Sequence, residues 1–79
     1  MTTTEAVSIR LTKLLAEKKL SQYALAKKAT IDPSNIYNIM YGRCKTVTLD
    51  MLILICEGLD ITVQEFLNDP IFDRNNFDI

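Results

Sequence analysis

Four side chains in one short stretch, Ser34, Tyr37, Asn38 and Tyr41, recur at the i, i+3, i+4, i+7 spacing that puts them on one face of a helix. All four carry hydrogen-bonding atoms and none is charged. A ridge of this kind performs no acid–base or nucleophilic step. It recognises, because hydroxyl and amide groups sort partners by their pattern of donors and acceptors. It is the surface that suits a DNA groove: Asn38 can bond bidentately to adenine, Ser34 can donate or accept, and Pro33 or Tyr37 can lie against a thymine methyl. With Asn35 beside them, Pro33, Ser34, Tyr37 and Asn38 are the candidate base-reading residues.

Other chemistry is poorly supplied. The chain has no His, its thiols Cys44 and Cys56 stand twelve positions apart, and no carboxylate pair suggests an acid–base site. Catalysis, a metal site, a cofactor and a small-molecule ligand are therefore not expected. Cys56 falls on an inward helix face, and both thiols are expected to stay reduced.

The ridge needs a support, and the sequence from Ser21 to Tyr41 provides one. Ser21 is a good N-cap, and Leu25, Ala26 and Ala29 then share one side of a helix, the alanines permitting close approach of a neighbour. Thr30 and Ile31 continue a helix poorly. Asp32 can cap a second helix, and Pro33 fits its first position, where a missing N–H costs nothing. Ile36, Ile39 and Met40 form the inward stripe of that second helix, opposite the polar ridge. Two helices joined by so tight a turn hold each other fixed.

This stretch resembles the helix-turn-helix of phage repressors and Cro proteins, the Xre-type family. The landmarks are Gln22, Leu25, Ala26, Ile31, Ile36, Ile39 and Gly42. The likeness extends through Leu11, Leu14 and Leu20 before the motif, and Leu49, Leu52, Ile55, Leu59, Ile61, Phe66 and Leu67 after it, covering residues 6 to 67. It implies an all-α, five-helix lambda-repressor-like DNA-binding domain over residues 1–69, followed by a C-terminal tail over 70–79. It also implies that the basic loop after the second motif helix runs along the DNA backbone, which makes Arg43 and Lys45 phosphate contacts with Tyr41 beside them and Ser21 and Gln22 at the start of the preceding helix.

The chain departs from the family in two places. Relatives commonly pair an Arg in the first helix with a Glu at the end of the recognition helix, and here these positions match Leu15 and Met40. Exchanging both partners of a buried ion pair for apolar ones is often neutral, so Leu15 and Met40 are expected to touch. Thr30 stands where the family usually places Gly. A β-branched residue at positive φ is strained, and the turn is expected to have shifted away from that conformation.

The net charge of −1 hides a division. Through Lys45 the basic residues outnumber the acidic ones by five, and from Thr46 onward the acidic residues outnumber Arg74 by six. One half suits phosphate and the other repels it.

In chain order, Met1 to Thr4 reads as a frayed end and residues 5–19 as a helix with Val7, Leu11, Leu14 and Leu15 inward. Leu20 seals the link to the motif. Gly42 ends the recognition helix, Thr48 caps a helix over 49–58 with Leu52, Ile55, Cys56 and Leu59 inward, and Thr62 with Glu65 forms a capping box for a helix over 63–68. Met51 and Leu54 fall on another face of the fourth helix and need a cover, either a second subunit or the tail with its Phe72. No apolar run reaches membrane-spanning length and no export signal stands at the N-terminus, so the cytoplasm is the expected location.

These observations lead to one expectation: a sequence-specific transcriptional regulator, a repressor, that binds double-stranded DNA as a homodimer on a near-palindromic operator. The alternative is a helical protein-interaction module, antitoxin-like or an anti-repressor partner, that uses Met51, Leu54 and the apolar tail.

Overall fold

Every helix begins where a side chain can accept from the free N–H groups of the first turn. In the computed structural model, which describes residues 1–79, Thr2 caps α1 (Thr3–Lys18), Ser21 caps α2 (Gln22–Ala29) and Asp32 caps α3 (Pro33–Met40). Thr48 caps α4 (Leu49–Leu59) and Thr62 caps α5 (Val63–Leu67), and two short 3₁₀ turns follow at Pro70–Phe72 and Arg74–Asn76. There is no strand, and no helix is long and apolar enough to cross a membrane. The Thr62–Glu65 capping box is present as expected.

Four of the five helices end alike. One residue adopts the left-handed conformation, and the next donates its N–H to a carbonyl five residues back. The left-handed positions are Lys19 at φ 55°, Thr30 at 56°, Gly42 at 65° and Asp60 at 58°. The bonds that follow them run from Leu20 to Leu15 (3.0 Å), Ile31 to Ala26 (2.9 Å), Arg43 to Asn38 (2.8 Å) and Ile61 to Cys56 (3.1 Å). Thr30 therefore has the positive φ that the sequence argued against. The two backbone bonds that stop α2 hold it there, at a cost of about 1 kcal/mol for a residue with a Cβ.

The core is one cluster drawn from all five helices, with Leu11, Leu25, Ile36, Ile55, Leu59 and Phe66 fully enclosed. The inward residues expected for α1 and α4 are all buried. Leu15 lies in this cluster and Met40 packs against it, so neither apolar replacement for the family's ion pair is left in water. α4 crosses α2 at very short range. A Cβ added at Gly58 would sit 2.8 Å from the Ala29 Cβ and 3.0 Å from a Leu25 methyl.

Two regions differ from expectation. Residues 1 to 4 are not frayed: Thr2 and Glu5 form a reciprocal capping box, and Thr4 is buried. The signal was present as Thr-x-x-Glu and belongs to the capping-box pattern. The tail does not cover Leu54, which stays 40% exposed. Instead Phe72 packs on the core, its ring 6.0 Å from that of Phe66, and the first 3₁₀ turn lies against α1. Met51 is half-buried against the core. Asp69 anchors this end through the Ile71 N–H at 2.9 Å, Lys13 at 3.2 Å and Arg10 at 3.4 Å. The first of these, followed by the bond from Lys13, holds its carboxyl below the ordinary 3.8.

Candidate nucleic-acid interface

Helix α3 is set up from its first residue. The Asp32 carboxylate accepts from both the Ser34 N–H (2.9 Å) and the Ser34 hydroxyl (2.8 Å), and these two bonds hold its carboxyl below the ordinary 3.8. Pro33 occupies the first helical position. Ser34 thus has its hydroxyl proton engaged by Asp32. What it offers outward in this arrangement is acceptor capacity.

Beneath the ridge Ile36 and Ile39 are buried, and α3 packs on both α1 and α2. Above it Pro33, Ser34, Asn35, Tyr37 and Tyr41 are exposed, while Asn38 is half-buried. The Asn38 carbonyl is taken by Arg43 N–H and lies 4.0 Å from Cys44 Sγ, whereas its side-chain amide bonds no protein group. Asn35 and Asn38 line a cleft of about 160 Å³ together with Cys44, Thr46, Val47, Thr48 and Met51. An unpaired amide at such a position keeps both a donor and an acceptor for an outside partner.

The other end of the ridge is aromatic. Tyr37 and Tyr41 stack with ring centroids 4.3 Å apart, and the Arg43 guanidinium lies 5.1 Å from the Tyr37 centroid. The two rings are in close, tilted contact at an interplanar angle of 39°, and the guanidinium distance falls within the range of attractive cation–π contacts. This trio joins a residue expected to read bases with two expected to touch phosphate, a grouping that spacing alone did not reveal. Lys45 is exposed two residues beyond Arg43. Ser21 and Gln22 stand apart from these, at the start of α2, where the Ser21 hydroxyl accepts from Ala24 N–H and Gln22 is half-buried. A second cation–π contact, Lys27 over Tyr23 at 5.6 Å, lies on the outer face of α2.

The division of charge proves only partly available for phosphate. Arg10 donates to the Phe66 and Glu65 carbonyls at the end of α5 and pairs with Asp69. Lys13 shares that carboxylate, and Lys28 pairs with Asp60 at 3.9 Å. Three of the basic residues in the first half thus bind the acidic half, over separations in sequence that no local pattern encodes. The thiols are both free, and burial, followed by the nearby Glu65 charge, pushes the Cys56 thiol up to about 11, which makes it unreactive. No group of three or more His, Cys, Asp or Glu residues is arranged to hold a metal ion.

Two short helices locked across a tight turn, the second presenting an uncharged polar ridge with an apolar underside, define a helix-turn-helix protein that binds DNA. The family model of the Cro/C1-type HTH DNA-binding domain matches residues 10–70, and the chain belongs to that family. Comparison with curated proteins and with solved structures finds no match. The protein is a DNA-binding regulator of the Cro/C1 type.

Proposed function

We propose that the protein is a repressor that binds a near-palindromic operator as a homodimer, with α3 of each subunit in the major groove and half-sites about one helical turn, roughly 34 Å, apart. The observation that carries this reading is the Asn38 amide, free of any protein partner on a helix whose opposite face is fixed in the core. Asn38 reads adenine, and Asn35 and Tyr37 border it. Ser34 accepts from a base, and Pro33 meets a thymine methyl. Ser21, Gln22, Tyr41 and Lys45 contact phosphates on either side of the groove.

The dimer surface is the outer face of α4. Leu49 is 63% exposed, Ile53 45% and Leu54 40%, apolar side chains of α4 from which a second copy would exclude water. A helical interaction module would instead use Met51, Leu54 and the apolar tail with another protein.

Selection of bound sites from a random DNA pool, paired with light scattering, tests the reading. A two-fold-related consensus and a mass of two chains are expected, and Asn38→Ala should flatten one adenine column. A monomer that binds every sequence alike, or no DNA at all, overturns it.

A further inference from the structure

The end of α3 places Arg43 somewhere the basic loop by itself would not. Gly42 at φ 65° and the bond from Arg43 N–H to the Asn38 carbonyl turn the chain back over the last helical turn. In this motif the residue after the left-handed one packs against a side chain of that turn, and the contact is usually apolar. Here the returning side chain is Arg43, and what it meets is the exposed ring of Tyr37, on the reading face itself. The guanidinium carbon lies over that ring, 5.1 Å from its centroid. None of the four ion pairs of the protein involves Arg43 and it donates no side-chain hydrogen bond, so its N–H donors remain unspent.

From this we infer that Arg43 is a base-reading residue, specific for guanine, with Tyr37 as the residue that positions it. The inference rests on the proposed binding of α3 in the major groove. Guanine presents two acceptors there, O6 and N7, which match a planar fork made only of donors. Adenine and cytosine each present an amino donor, and thymine has a single acceptor. A phosphate would also accept two such bonds. The contact with Tyr37 distinguishes the two, because it holds the guanidinium beside a residue of the reading ridge and pre-orders a side chain that would otherwise lose freedom on binding. Tyr41, its ring centroid 4.3 Å from that of Tyr37, keeps Tyr37 from turning away.

Site selection from a random pool with the full chain, followed by salt titrations on the selected site, tests the inference. The wild type should yield a guanine column in each half-site next to the positions sensitive to Asn38→Ala. Arg43→Lys keeps the charge but loses the fork. It should lower discrimination at that guanine by about tenfold or more, leaving the other columns and the salt slope unchanged. Tyr37→Phe should preserve the column, and Tyr37→Leu should weaken it only when Arg43 is present. Circular dichroism melts of the variants establish that they are folded. If Arg43→Lys binds every site as the wild type does, while Arg43→Ala weakens all sequences alike and lowers the salt slope by about one, Arg43 is a phosphate contact and the inference falls with the DNA reading intact. If the wild type selects no sequence, the operator reading and this inference fall together.

Discussion

Helices α1, α2 and α4 end on the same backbone motif as α3, but they return different cargo. After Lys19, Thr30 and Asp60 the chain brings back Leu20, Ile31 and Ile61, each packed in or against the core. After Gly42 it brings back Arg43, which finds an exposed tyrosine. The three core-facing ends also tolerate a Cβ in a left-handed conformation, whereas the exposed one uses glycine. A strained residue persists when buried contacts over-determine its conformation. At the end of α3 no such contacts exist to oppose strain, so the residue that needs none is found there.

The largest effect should come from Ile31→Ala, which empties a buried position at the end of α2 and should cost about 2 to 4 kcal/mol in a urea melt. A loss under about 1 kcal/mol would mean that the returning residue is not what holds the turn. Gly42→Ala puts a Cβ in open space, with nothing within 4 Å, but at positive φ, so stability should fall by about 1 kcal/mol from backbone strain alone. Thr30→Gly reverses the experiment and should raise stability by about 1 kcal/mol, a gain readable as a shift in urea midpoint without change of slope. The smallest effect is assigned to Arg43→Ala, whose exposed contact with Tyr37 should change stability by less than about 0.5 kcal/mol while DNA selectivity suffers. If that variant unfolded as readily as Ile31→Ala, the α3 end would be no different from the others.

What could be read in the sequence follows from the range of the interaction that writes it. Ser21, Asp32 with Pro33, Thr48 and Thr62 cap helices by contacts two or three residues long, so the starts of α2 to α5 were legible, as were the apolar stripes that face the core. Thr30 misled because its preference is weaker than the pair of hydrogen bonds that closes α2, and those depend on Ile31 finding the core. Arg10 was counted with the phosphate-facing charges because its partners lie 55 to 59 residues away. Within the site, the outward side chains of α3 were legible from helical spacing. The engagement of Ser34 by Asp32 and the folding of Arg43 onto Tyr37 were not, since each depends on torsions that composition leaves free.

Gly58 carries a last consequence. Its bare Cα lets α4 press close on Ala29, a tight packing that resists rocking of the motif on its support. A misfit would then fall on the double helix, whose readiness to bend and twist varies with base step. Sites that the side chains never touch can then still be ranked by how cheaply they yield.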